Sequence, residues 1–269
     1  MSADRYEMDR RGLLGKGARV GAGVLASGAT LEALAPSPAV ARRHKSAVTR
    51  RDLEILGAAQ IAEALAVTTY TTIIDQAPFF AGLAADDQGY LKVARHEEMS
   101  HYLLEKTVTH KPSPFTRFYY PPKTFQDAQT TLNVLVALED AFIAAYLIGV
   151  RHLSTPDLRV TAARIMGIES DHRTLARVVA PGVASGDGGP IEHVTGIQGK
   201  AESVDPPNNN GYERTLGWTR IGRAVAALLP FADKRAAAKA GFDTSRSFHF
   251  RPFTPQLPEP LGEFHSFTG

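Results

Sequence analysis

Two tetrapeptides carry the most distinctive chemistry of this chain: Glu98-Met99-Ser100-His101 and Glu169-Ser170-Asp171-His172, both Glu-x-x-His. On a helix, residues three apart share a face, so the carboxylate and imidazole of each motif converge on one point. One such motif arises often by chance. Two copies are more specific when each follows a helix with a glutamate on its apolar stripe. Glu63 sits among Leu56, Ala59, Ala66, Val67, Tyr70 and Ile74, and Glu139 among Leu132, Leu135, Val136, Phe142, Ile143, Tyr146 and Val150. An ionised carboxylate on a buried face costs several kcal/mol unless it is paired or coordinated. Neither stripe holds lysine or arginine, so the cation comes from another helix or is a metal. A buried hydrogen-bond network without metal is the competing arrangement.

The charge arithmetic favours two metals. The carboxylates of Glu63, Glu98, Glu139 and Glu169 balance two divalent ions, and the neutral imidazoles of His101 and His172 complete the set. Such oxygen-rich ligands suit iron(II) or manganese(II), and zinc could bind the same atoms. The chain has no cysteine, which excludes disulfides, thiolate zinc sites and iron–sulfur clusters; neither haem nor flavin is expected. Tyr70 and Tyr146 each follow a stripe glutamate by seven residues. They are placed to hydrogen-bond carboxylates from outside the ligand set, or else are ordinary core tyrosines. Glu97 either orients a ligand histidine from the opposite helix or is a solvated surface acid. Asp171 and Asp140 point to other faces, where a salt bridge to a neighbour is expected. His96, His110, His152, His193, His249 and His265 lack a matching partner spacing and read as surface or capping residues.

Four helices must position these groups, and the punctuation of the chain supplies them. Helical patterns run over about 51–76, 86–106, 126–152 and 157–180, with Pro78 and Gly82 marking the first turn and Ser154-Thr155-Pro156 the last. Between them, 107–125 carries Pro112, Pro114, Pro121 and Pro122 and reads as a long irregular connection. The halves repeat: Glu63, Tyr70, Glu98, His101 against Glu139, Tyr146, Glu169, His172. Two helix hairpins joined by one long crossover form a four-helix bundle of the ferritin-like type. The expected organisation is an all-α bundle over 42–180 and a loop-rich extension over 181–269. That extension has one short helix near 219–229 and an extended tail, rich in proline and phenylalanine, packing on the bundle.

The full set Glu63, Glu98-x-x-His101, Glu139 and Glu169-x-x-His172 resembles the ligands of the ferritin-like superfamily of di-metal carboxylate proteins. The Glu-to-Tyr spacing is similar to that of rubrerythrin-type members. Phe118-Tyr119-Tyr120-Pro121, with Leu138-Glu139-Asp140 and Ala145-Tyr146, resembles the exported bacterial ferritin-like proteins, some labelled desiccation-related. The resemblance spans about 50–180. It implies Glu98 and Glu169 as bridging ligands, Glu63 and Glu139 as terminal ones, and oxidation of ferrous iron or reduction of oxygen or peroxide. A dimanganese catalase-like enzyme and a non-catalytic, metal-binding envelope or stress-protection protein are the other functions it admits. Two features depart from rubrerythrins: there is no cysteine-ligated iron domain, and Phe142 stands where those proteins carry a further glutamate.

The chain's 269 residues are 43% hydrophobic and 22% charged with a net charge of +2, the balance of a folded domain rather than a disordered tail. No lysine/arginine stripe argues for nucleic acid. At the start, Arg10 and Arg11 precede an uncharged run from Val20 to Leu31, and Ala39-Val40-Ala41 has the small-x-small form of a cleavage site. The run is too short to span a bilayer. Residues 1–41 therefore read as a twin-arginine export signal. The implied partner is the twin-arginine translocase, and the destination is the periplasm, cell envelope or exterior. The oligomeric state is not legible.

Overall fold

The computed structural model describes residues 48–178 and 216–256. The proposed export signal with Arg10, Arg11, Ala39 and Ala41, the loops of 181–211, and His193 and His265 lie outside the described residues.

Four long helices dominate: α1 (Arg50–Gln76), α2 (Ala85–Thr109), α3 (Ala128–His152) and α4 (Pro156–Val178). Their ends follow local chemistry. Thr49 caps α1 by accepting from the Asp52 amide at 3.1 Å, and Asp52 returns the contact by accepting from the Thr49 amide at 2.8 Å. Asp52 also accepts from the Ser154 amide at 2.8 Å and the Ser154 hydroxyl at 2.6 Å, tying the start of α1 to the α3–α4 turn. His110 closes α2 in the left-handed conformation (φ 56°). Asp127 starts α3 by accepting from the Thr130 amide at 2.7 Å, and Pro156 opens α4 at a position that needs no amide hydrogen.

The helices pair as hairpins, α1 on α2 and α3 on α4, with α1–α3 and α2–α4 contacts between the hairpins. Gly149 lets α3 and α4 approach closely, since a Cβ there would stand 3.3 Å from the Cβ of Ala162. Among the described residues, α3 alone is long and apolar enough to cross a membrane, but most of that stretch is buried inside the bundle. The apolar core has a large cluster including Leu65, Leu91, Met99, Leu132 and Phe142, and a smaller one of Ile55, Leu56, Ala59, Tyr146, Leu153, Ala162 and Ile165.

Two expectations need correction. The crossover is not wholly irregular: β1 (Arg117–Tyr120) pairs antiparallel with β2 (Asp243–His249), Phe118 lying opposite Phe248, with an irregularity before Tyr120. A strand of four residues whose partner lies far along the chain leaves no local alternation to detect. The extension also has two helices among the described residues, α5 (Ile221–Ala232) and α6 (Lys234–Lys239). Asp233 divides them, ending the first and capping the second by accepting from the Ala236 amide at 2.8 Å. The sheet seats an aromatic cluster, in which the Tyr120 ring meets Phe125, Phe231 and Phe248. The Tyr120 hydroxyl lies 3.0 Å from that of Thr69 on α1. Further along, Phe250 packs edge-on against Tyr102 and Phe253 against His96, both on α2.

Candidate metal centre

One glutamate from each helix is carried into the bundle interior: Glu63 (α1), Glu98 (α2), Glu139 (α3) and Glu169 (α4) are wholly buried. His172 is buried as well, and the His101 side chain is 12% exposed. Their ligand atoms form two groups, each with all members within 4.8 Å of one another. One group is Glu63, Glu98, His101 and Glu169; the other is Glu98, Glu139, Glu169 and His172. Glu98 and Glu169 belong to both.

The contacts within each group are close. His101 Nδ1 stands 3.2 Å from Glu169 Oε1 and 3.6 Å from both Glu63 Oε2 and Glu98 Oε2. His172 Nδ1 lies 2.9 Å from Glu98 Oε1 and 3.6 Å from Glu169 Oε2. Many of these atoms nonetheless make no aligned hydrogen bond: Glu63 Oε2, Glu98 Oε2, Glu139 Oε2, both oxygens of Glu169, and His101 Nδ1. Buried polar atoms are nearly always satisfied, so six unsatisfied ones within these two groups leave donor atoms free that could hold a metal ion. Oxygen-rich donor sets of this composition fit divalent iron, manganese or zinc.

Outside the cluster, two tyrosines cross between the hairpins in matching fashion. Tyr70 on α1 donates to Glu139 Oε1 on α3 at 2.8 Å, and Tyr146 on α3 donates to Glu63 Oε1 on α1. Glu139 and Glu63 thereby each have one oxygen held and the other, Oε2, left facing the cluster. Glu97 Oε2 lies 2.9 Å from His172 Nε2, on the side of the ring away from Glu98. Asp140 pairs with Arg173 at 2.9 Å. Asp171 differs from expectation: it is exposed and makes no ion pair among the described residues, because its position on α4 faces a surface pocket. His96, His110, His152 and His249 do not join the cluster. His96 instead accepts from the Gln256 amide at 2.8 Å.

Glu105 escaped the sequence reading. It is wholly buried on α2, and its Oε1 lies 2.8 Å from the Tyr146 hydroxyl. The available signal was its place four residues after His101, on the same helical face.

Electrostatics divide the cluster. Burial, reinforced by the charges of Glu98 and Glu169, pushes Glu63 and Glu139 well above the usual carboxylate range. Burial would also raise Glu98, but the charge of His172 and the contacts with His101 and His172 hold it below that range. Burial alone would lower both histidines. Contacts to Glu169 and Glu63 raise His101, and the charge of Glu98 with contacts to Glu169 and Glu97 raises His172. Tyr70 and Tyr146 are pushed well above the phenol range, chiefly by burial and then by the neighbouring glutamates, so both remain hydrogen-bond donors.

Comparison with known proteins agrees with this geometry. Residues 51–180 match the family model described as a ferritin-like domain, a stretch that contains all six clustered residues. No curated protein matches the chain.

Proposed function

We propose that this bundle is a di-metal carboxylate centre holding two divalent ions, iron in first place and manganese in second, and acting on ferrous iron, oxygen or peroxide. The observation that carries the reading is the sharing of Glu98 and Glu169 between the two ligand groups. A carboxylate common to both groups can bridge two ions, leaving Glu63 with His101 on one side and Glu139 with His172 on the other. A bound iron or manganese pair supplies one electron per ion, the stoichiometry that oxygen or peroxide chemistry uses.

The protein's own groups do the rest. Tyr70 and Tyr146 each occupy one oxygen of a terminal glutamate and so aim the other. Glu97 accepts from His172 Nε2, fixing the tautomer that leaves Nδ1 as the ligand atom. A surface pocket lined by Asp87, Tyr90, Glu97 and Asp171 reaches His172 and provides a negatively charged approach for a ferrous ion or a small oxidant. The proposed setting is outside the cytoplasm, after export through the Arg10-Arg11 signal.

Anaerobic reconstitution with iron(II) or manganese(II), followed by elemental analysis and by oxygen- and peroxide-consumption assays, tests the reading. Two ions per chain with consumption of either oxidant supports it. Less than one ion per chain sinks the metal centre. A full complement that is inert towards oxygen, peroxide and ferrous iron sinks the redox function and leaves a metal-binding scaffold. Fractionation tests export: wild type must leave the cytosol, and an Arg10/Arg11→Lys variant must stay.

A further inference from the structure

The two halves of the bundle repeat the glutamates, histidines and tyrosines of the cluster but differ four residues after each histidine. Four residues after His101 stands Glu105, and four residues after His172 stands Ala176; both are wholly buried. Among the described residues Tyr70 meets one carboxylate, Glu139, whereas Tyr146 meets two, Glu63 Oε1 and, at 2.8 Å, Glu105 Oε1.

A phenol has one proton to donate. Tyr146 satisfies one of its two carboxylates, and the other contact needs a proton on the carboxyl side. Glu63, a ligand in the proposed centre, would be the ionised partner once metal is bound. Glu105 has the surroundings of a neutral acid. Its Oε2 is buried without a hydrogen-bond partner, and among the described residues no lysine or arginine pairs with it. It lines an apolar pocket with Ile55, Leu56, Leu158 and Ile165. An ionised carboxylate there costs several kcal/mol, and the neutral acid far less. Burial accordingly pushes Glu105 well above the carboxylate range, although its contact with Tyr146 opposes this.

We infer that Glu105 is held as the neutral acid, donating from Oε1 to the Tyr146 hydroxyl while Tyr146 donates to Glu63, so that the three form a hydrogen-bonded chain ending on one metal-facing carboxylate. Only one of the two terminal glutamates has such a partner behind its tyrosine, because Ala176, at the equivalent position, offers no carboxyl. Glu105 is a positioning residue: it touches neither the ligand groups' common centre nor a substrate, and acts through Tyr146.

The inference rests on the metal reading above, and one experiment separates the two. The full chain is loaded with redox-silent zinc(II), its metal content is measured, and the carbonyl stretch of protonated carboxylic acids is recorded by infrared difference spectroscopy. Wild type should show such a band at neutral pH, Glu105→Gln should lose it with zinc content unchanged, and Tyr146→Phe should keep it at a shifted frequency. Glu105→Gln retains a donor to Tyr146 and nearly the same volume, which guards against a folding failure. Two bound zinc ions with no acid band, or with a band that survives Glu105→Gln, overturn the neutral Glu105 alone. A chain that binds no zinc overturns both readings.

Discussion

Glu97 Oε2 lies 2.9 Å from His172 Nε2, on the far side of the imidazole from Glu98, whose Oε1 lies 2.9 Å from Nδ1. Two successive residues of α2 thus grip opposite edges of one ring on α4. A carboxylate behind a ligand histidine fixes its tautomer and raises its basicity, and losing one costs roughly 10–100-fold in metal affinity. Glu97→Ala should therefore weaken zinc binding by about that factor while leaving helical content unchanged, as read by chelator competition and circular dichroism. Unaltered affinity would reduce Glu97 to a surface acid.

The sharing of Glu98 and Glu169 makes substitutions unequal. Removing Glu98 takes a donor from both groups, whereas removing Glu63 or Glu139 damages one. Elemental analysis after reconstitution should find less than about one ion per chain in Glu98→Ala and about one in Glu139→Ala. Asp171→Ala, on the exposed face of α4, should keep about two. Equal losses in Glu98→Ala and Asp171→Ala would contradict the bridging assignment.

Much of this site is legible before any coordinates, because matched spacings on four apolar stripes leave little choice about where Glu63, Glu98, His101, Glu139, Glu169 and His172 point. The same repeat that reveals those six hides Glu105. Its counterpart is Ala176, so a search for symmetry passes over it, and only the 2.8 Å approach of Tyr146 exposes it. Glu97 has a counterpart in Ile168, again without the matching chemistry. The β1–β2 pairing is illegible for another reason. It depends on the packing of Tyr120 among Phe125, Phe231 and Phe248, contacts between segments far apart in sequence that no local pattern encodes.

Asp52 anchors the end of the bundle remote from β1. It is wholly buried, completes the Thr49 cap and accepts twice from Ser154. Burial would raise it, yet hydrogen bonds from Ser154 and Thr49 hold it below the usual carboxylate range. Asp52→Ala removes the cap partner and leaves the Ser154 amide unsatisfied, for an expected loss of about 1–3 kcal/mol. In a chain of this size that is a fall of several degrees in Tm. Because the folded value is depressed, this stabilisation is present above the ordinary Asp value of 3.8 and is lost as pH falls through the folded value. The wild-type and Asp52→Ala melting curves should therefore converge on acidification, and a gap that widens would refute the assignment.

The cluster itself should respond to pH in the opposite sense. Glu63, Glu105 and Glu139 are raised from 4.5, chiefly by burial. His101 and His172 are raised from 6.5 by the surrounding carboxylates against the effect of burial. Each of the five holds a proton in the folded chain at pH values where the unfolded chain has released it. The folded state then binds more protons, so stability falls as pH rises, from about 4.5 upward for the glutamates and from about 6.5 upward for the histidines. Glu98, held below its usual range, acts oppositely only at the acidic end. Metal reverses the trend, because it competes with those protons for the same atoms and binds more tightly as they leave. Chelator-treated protein should melt at falling temperature between about pH 5 and about pH 8, and the increase in Tm on adding zinc should widen over that interval. An increase that stays constant or shrinks with rising pH would mean that zinc does not bind at the protonated cluster.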